Sequence, residues 1–347
     1  MNEIFLDDQS IRERFYPFTL TRHVADMRVG ITTIREKWER VFGVRTTDDR
    51  GATEGIKKIP ANLIPSKEMA EHILAGKDLT DLPVRQIEYP WHIFQMNDEW
   101  LRLDFELLTR NKRSEPISQT NRTISPGSIF VEEGAKVEFA MLNASGGPIY
   151  IGKDAEIMEG AMIRGPVAIC DHAVVKMGAT IYGATTIGPG TVVGGEIKNA
   201  VFFGYSNKGH GGYIGDSVIG EWCNLGAGTC NSNIKNNAGR VKVWNEFQKQ
   251  FHFAGTKCGV LMGDYVQTAI NSSLNTGTVI GTCVNIFGEG LTTKFVPSFS
   301  WGRGGKYELE KALENIERWK KLKNQTISSN EIRILKHIFE ETKLTPA

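Results

Sequence analysis

Ser206 to Asp216 read SNKGHGGYIGD, one imidazole, that of His210, set among four glycines. Histidine is the side chain whose charge changes closest to neutrality, so it can take a proton from an attacking nucleophile at ordinary pH. Glycines let a backbone and its ligand approach closely. The stretch therefore offers either a general base or a polar turn without chemistry, and the elements that carry it decide between the two.

Those elements come from a chain with the composition of a soluble globular protein. Its 347 residues, 40% of them apolar, suffice for one large domain or two ordinary ones. Lys and Arg number 41 against 40 Asp and Glu, a formal charge of +1 that gives no reason to expect nucleic acid or an anionic membrane as partner. The five cysteines are odd in number and none forms a C-x-x-C pair, which argues against a disulfide framework and a zinc site and fits the cytoplasm. No metal is expected: neither His210 nor His172 with Asp171 has a cluster of further ligands at metal spacing. No stretch reads as a targeting signal or approaches the roughly 18 apolar residues of a membrane span.

An internal repeat decides the architecture. An aliphatic residue recurs at every sixth position through Ile151, Ile157, Ile163, Ile169, Val175, Ile181, Ile187 and Val193. Val131 and Val137 precede this run with the same spacing, and Ile219, Leu225, Met262, Thr268, Leu274, Ile280 and Ile286 follow it after interruptions. The second position of the hexad is often Gly, as at Gly152 and Gly188, and the fifth is small, as at Ala155 and Ala173. Such a period fits neither a helix of 3.6 residues per turn nor simple strand alternation. It fits a solenoid in which each hexad is a short strand and a turn, its aliphatic side chain pointing at the axis. The register fails between Lys198 and Ile214, so NAVFFGYSNKGHGGYIGD reads as a loop that interrupts the repeat and carries function.

The hexads resemble the left-handed parallel β-helix of the hexapeptide-repeat acyltransferases, and the left hand is implied by that resemblance. The expected fold is a mainly β C-terminal left-handed parallel β-helix with terminal α-helices, joined to a small α/β N-terminal domain. The expected boundaries are 1–120 for the α/β domain, 121–300 for the β-helix and 301–347 for the helices. In the last segment Leu309, Ala312, Leu313, Ile316, Trp319 and Leu322 share one helical face, and Ser328 with Glu331 has capping-box spacing for a second helix. These helices are expected to cover the end of the solenoid, whose strand edges need protection.

At the other end, EIFLDD reads as a strand, and Ile31, Ile34, Trp38, Val41 and Phe42 as an amphipathic helix. Between them, PFTLTRHVADMRVG resembles a remnant of the sugar-nucleotide pyrophosphorylase signature, with Pro17, Phe18 and Thr19 at its Pro-Leu-Thr element. His23 and Val24 stand where that family has Pro-Lys, and no glycine occurs before Gly30 to cradle phosphates. The resemblance thus implies a reduced nucleotidyltransferase-like domain. Arg12, Arg14, Arg22 and Arg28 are available to phosphates there, with solvated surface arginines as the plainer reading.

Around His210 the resemblance becomes specific. GEIK at 195–198, SNKGHGGYIGD and IGEWCNLGAGTCNSN at 219–233 are similar to the acetyltransferase half of the GlmU family. That family has a Lys twelve residues before its catalytic His, a Tyr three after and an Asn fourteen after, and here these are Lys198, Tyr213 and Asn224. The resemblance implies His210 as general base, with Asn233 holding the imidazole or the substrate. It places Lys198, Tyr213 and Asn224 on the acceptor, and the backbone around Gly226, Ala227 and Gly228 on the acyl donor, where N–H groups would stabilise an oxyanion. Two positions depart from it: Thr180 stands where the family has an Arg for the sugar phosphate, and TCNSNIKNN leaves only Arg240 or Lys242 as the following basic residue.

The implied function is acetyl-CoA-dependent N-acetylation of an amino-sugar phosphate or sugar nucleotide by a homotrimer with sites between adjacent solenoids. The alternatives are a sugar-1-phosphate nucleotidyltransferase working through the N-terminal domain, which would need magnesium (Mg2+), and a solenoid that binds a sugar nucleotide without catalysis.

Overall fold

A side chain directed inward at every sixth residue closes a triangular coil when three hexads complete one turn. In the computed structural model, which describes residues 3–48, 56–77, 79, 82–83 and 85–344, this is how the repeat folds. Ile151, Ile169 and Ile187 pair directly in parallel register, so each coil there takes eighteen residues. The coils stack into a parallel solenoid of about ten turns. The strands Ile129–Val131, Ile149–Ile151, Val167–Ile169 and Thr185–Ile187 begin the first face of the prism. Lys136–Val137, Glu156–Ile157 and Val174–Val175 begin the second, and Met141–Asn143, Met162–Arg164 and Thr180–Tyr182 the third. The inward residues form one buried aliphatic column that no single coil could make.

The stretch from Lys198 to Ile214 is not a loop, contrary to the sequence expectation. It is a coil of the solenoid with shortened edges, its strands Glu196–Gly204 and Asn207–Lys208 in register with neighbours on both sides. Ile187 pairs with Phe202 and Phe202 with Ile219, spacings of fifteen and seventeen, so the hexad breaks in sequence while the stacking persists. The true insertion follows Asn231. It runs from Ser232 to Gly259, contains the antiparallel hairpin Lys242–Asn245 with Gln250–Phe253, and returns at Val260–Met262, where Met262 pairs with Ile219.

The N-terminal strand Glu3–Asp7 forms as expected and pairs in parallel with Arg45–Thr47 and Lys57–Pro60. Helix follows only from Ile34, with Thr33 and Glu36 closing a capping box. Ile31 lies outside it, packed with Leu101 and Phe130. This segment shares a core with the solenoid: Phe18, Val29 and Trp38 join Val201, Phe203, Val218 and Leu261 from the outer side of the first face. Helix Asn97–Thr109 covers the earlier coils of that face, where Leu101 and Phe105 meet Tyr150 and Ala168. Its Asn97 accepts from the Gly30 N–H at 3.0 Å and donates to the Ala184 carbonyl at 2.8 Å, tying hairpin, helix and solenoid at one buried amide.

Arginines expected at the surface make much of this junction. Arg22 pairs with Asp264 at 2.5 Å and Glu221 at 3.2 Å, both on the solenoid, and lies over the Phe203 ring. Arg28 is buried and donates from Nε to the Phe203 carbonyl at 3.1 Å. Neither is solvated or open to a phosphate, and Arg12 is engaged by Asp8. Close by, buried Lys37 is held by Asp104, whose carboxylate also accepts the Ile31 N–H at 2.8 Å; burial pushes the ammonium down from its ordinary range.

Two C-terminal helices form, Leu309–Lys321 and Ser329–Leu344, the second capped by Ser328 and Glu331 as their spacing predicts. They lie along the corner between the first and second faces and not over the solenoid end. The turn at this corner repeatedly takes left-handed backbone, and aromatic Tyr205, Trp222, Tyr265 and Phe299 occupy it in the later coils. Buried Lys320 sits over Trp222 and pairs with Glu331, Phe339 packs on Phe299, and Lys323 reaches the Gly190 carbonyl at 2.5 Å. Leu322, expected on the buried face, is exposed past the helix end. The last second-face strand, Ser300–Trp301, is covered by antiparallel Gly305–Lys306 instead. Among the described residues no helix is long and apolar enough to cross a membrane.

Replacing Arg22 by Leu would strand Asp264, whose side chain is 4% exposed, without its cation. The expected loss is about 3–5 kcal/mol of unfolding free energy, measured by urea denaturation of the whole chain. A change within experimental error would show that the junction does not depend on this pair.

Candidate active site

His210 lies on the turn that joins the second-face strand Asn207–Lys208 to the third-face portion of Tyr213–Glu221. It is exposed, and among the described residues no side chain bonds its imidazole. The glycines of the motif have separate causes. Gly212 takes φ +116°, and a Cβ there would lie 2.3 Å from the Thr229 carbonyl, so only glycine fits. At Gly215 a Cβ would meet the hydroxyl of Tyr213, whose ring folds over this residue. Gly211 has open space around it.

The third face carries the other polar groups in rows fixed by strand register. Thr180, Glu196 and Tyr213 are aligned, as are Tyr182, Lys198 and Gly215. The Lys198 ammonium sits 5.5 Å from the Tyr182 ring centre, while the Tyr182 hydroxyl donates to Glu196 at 2.6 Å. That bond to an anion raises the Tyr182 pKa. Thr180 therefore stands beside a carboxylate, and the cations of this patch are Lys198 and, one coil before Tyr182 in the same row, exposed Arg164.

Asn233 bonds away from His210. Its amide donates to the Tyr213 hydroxyl at 3.0 Å and to buried Asp216, whose other oxygen accepts from Asn199 at 2.7 Å. Asp216 holds left-handed backbone at φ 48° and its carbonyl accepts the Gly259 N–H at 2.7 Å, so it pins both ends of the inserted segment to the solenoid. Burial, then the charge of Asp216, keeps the Tyr213 hydroxyl protonated well above the ordinary tyrosine range. Sequence reasoning missed Asp216, Glu196 and Tyr182. Asp216 closes the SNKGHGGYIGD motif and GEIK contains Glu196, but only the register brings Tyr182 beside Lys198.

Asn224 does not join this group within one chain. It lies on the second face, aligned with Asn207 and Gln267. Of the three amides expected to serve an oxyanion, two are committed: Gly226 N–H donates to Thr268 and Gly228 N–H to the Gly211 carbonyl at 2.9 Å. Among the described residues the Ala227 N–H has no acceptor. The Gly228–Gly211 bond ties the turn bearing Ala227 to the turn bearing His210, so a proton acceptor and a free amide lie on adjacent turns of one corner. Arg240 and Lys242 lie over the Phe253 ring of the inserted hairpin, at 4.0 and 5.4 Å.

One further group has metal-ligand geometry, His23 with Asp26 and Asp48. Arg35 already bridges both carboxylates, at 2.5 and 3.0 Å, and His23 accepts the Ala25 N–H through Nδ1 while Nε2 lies 3.4 Å from Asp8. Its ligand atoms are thus spoken for by protein partners.

Comparison with known proteins bears on both ends of the chain. Residues 3–51 match a family described as sugar nucleotidyl transferase. A bifunctional sugar-1-phosphate nucleotidylyltransferase/acetyltransferase of Sulfurisphaera tokodaii is 30% identical over 209 residues, 60% of this chain and 48% of that protein. The bifunctional protein GlmU of Methanocaldococcus jannaschii is 35% identical over 118 residues, 34% of this chain and 26% of the relative. GlmU of Bartonella quintana is 25% identical over 234 residues, covering 64% and 48%. The chain thus spans about half the length of the relatives it matches, or less. The chain is thus similar to a sugar nucleotidyl transferase family at its start and to GlmU proteins across its parallel solenoid.

Proposed function

We propose that the chain is an acyl-CoA-dependent N-acetyltransferase acting on an amino-sugar phosphate or sugar nucleotide. The observation that carries this reading is the pairing of exposed His210 with the free Ala227 amide on the adjacent turn, the two turns joined through Gly211. An amine attacks a thioester carbonyl only with its lone pair free. As the N–C bond forms, the carbonyl oxygen gains negative charge and the nitrogen must lose a proton. His210 takes that proton, the Ala227 N–H faces the oxyanion, and collapse breaks the C–S bond and expels the thiolate, which His210 reprotonates. Acetyl-CoA is the donor in this scheme.

Lys198 would meet an anionic group of the acceptor, and Tyr213, with its hydroxyl positioned by Asn233, a sugar hydroxyl. Asn233 acts in this scheme through Tyr213 and not on the imidazole. The carboxylate of Glu196 beside Thr180 disfavours a phosphate at that point of the row, and in this scheme Lys198 holds it.

A homotrimer would complete the site. The N-terminal segment covers the first face and the C-terminal helices the adjoining corner, whereas the third face remains open and its corner with the second carries an apolar stripe. Phe139, Met177 and Ile270 at that corner are 62%, 66% and 71% exposed, and Met141 and Met162 sit in the same row as Thr180. Packing this stripe against a second copy would bring that copy's second face, with its Asn224, toward Lys198 and Tyr213. Nucleotidyl transfer is the second reading, favoured by the match at residues 3–51 and opposed by the pairing of Arg22 with Asp264 and Glu221 and the burial of Arg28. Binding of a nucleoside triphosphate with magnesium would revive it.

His210→Ala should lower turnover at least about a hundredfold, the loss expected for a general base, in an assay of thiol release from acetyl-CoA against amino sugars, their 1-phosphates and their nucleotide derivatives. Equal turnover in the variant would remove His210 from the chemistry. Met177→Glu with Ile270→Glu should convert a trimer to monomer in light scattering and lower turnover in parallel. A monomeric wild type that is fully active would refute the shared site.

A further inference from the structure

Lys208 puts a charge into a row of inward side chains that is otherwise uncharged. The inward position of that face reads Val137, Ile157, Val175 and Val193 in register, then Lys208, Leu225, Thr268 and Ile286. Lys208 is fully buried in the column and no carboxylate pairs with it among the described residues. Its ammonium donates to three carbonyls: Gly194 at 3.3 Å, His210 at 2.5 Å and Gly211 at 3.0 Å. The second polar residue in this row, Thr268, accepts the Gly226 N–H at 3.1 Å and bonds Thr229 at 2.8 Å. Both polar intrusions therefore fall beneath the turns that carry His210 and Ala227. Gly211 is shared, because its carbonyl accepts from Lys208 and from the Gly228 N–H.

The stack does not need a charge at this level. An aliphatic side chain fills the same position in the coils immediately before and after, and a buried ion pays a desolvation cost that such a side chain avoids. We propose that Lys208 is a positioning residue for acyl transfer: from inside the solenoid it clamps the His210 turn and, through Gly211, sets that turn against the Ala227 amide. The proposal rests on the acyl-transfer reading above.

Burial lowers the Lys208 ammonium to about 8, and the titratable side chain that opposes this is the Cys230 thiol. A lysine whose folded pKa lies below its unfolded one destabilises the fold while charged, and stability rises as pH passes up through the folded pKa. The clamp weakens over the same range. A residue kept for stability alone would behave in the opposite way, since its loss would unfold the protein.

The test compares wild type, Lys208→Met and Lys208→Gln in the thiol-release assay, by thermal unfolding near pH 7 and by hydrogen exchange over residues 224–231. Lys208→Met should keep or raise Tm, lower kcat about tenfold or more with KM for acetyl-CoA unchanged, and speed exchange at the Gly228 amide. Wild-type kcat should fall above about pH 8, and the Met variant should lack that alkaline limb. Lys208→Gln, which keeps a donor without the charge, should recover part of kcat. Unchanged kcat and exchange would overturn the proposal, as would activity that falls only in step with Tm in both variants. If wild type transfers no acetyl group to any acceptor, the acyl-transfer reading fails by itself. Exchange at Gly228 then still decides whether Lys208 holds the turn.

Discussion

The structure depends on one constraint: each coil must set its inward side chains directly over those of the coil before. Parallel pairing supplies the hydrogen bonds, but the buried column makes the stack stable, because a single coil has nothing to bury its aliphatic residues against. The register from Ile151 through Ile169 to Ile187 meets that constraint with eighteen-residue coils. The coils that follow meet it with fewer residues, and the edges they lose reshape the corner where His210 projects. The proposed chemistry thus lies where the spacing in sequence changes while the stacking does not.

The outside of the prism is divided with the same economy. The first face is given to a shared core with the N-terminal segment, in which Phe18 and Trp38 pack against Val201 and Phe203. Arg22 and Arg28 close the seam of that core, so cations that a phosphate-binding domain would expose serve here as bolts. The first–second corner holds the C-terminal helices on its aromatic turn residues. The third face with its corner to the second stays uncovered, and His210, Ala227, Lys198 and Tyr213 of the proposed reaction lie there.

Much of this was legible in the sequence. The hexad gives the solenoid, because an inward residue at every sixth position is visible without any tertiary knowledge, and the Ser328–Glu331 cap is read correctly from spacing alone. The shortened coil was not legible: Phe202 and Lys208 occupy inward positions off the hexad count, and only pairing with Ile187 and Val193 reveals that they do. That same miscount hid the real insertion after Asn231. At the candidate site, His210, Lys198 and Tyr213 were named from the resemblance and its spacing, whereas Asn233 does not hold the imidazole as one reading had it, because its bonds to Tyr213 and Asp216 depend on the course of the inserted segment, which no local pattern predicts. Gly226 and Gly228 looked available because sequence does not show which amides a solenoid has already used.

The helix Leu309–Lys321 and the lysine beyond it have a mechanical effect. A solenoid is a one-dimensional array, and an array frays from its free end because each unit leans only on the next. Lys323 reaches back to Gly190, Lys320 to Trp222 and Asn315 to Gln267, so one strut touches three separate levels of the stack. Peeling the last coils would require the strut to leave all of them at once. The levels it spans include that of His210, so the array is expected to open there as one block, and the corner that carries the reaction is shielded from the loosening that travels inward from an unsupported terminus.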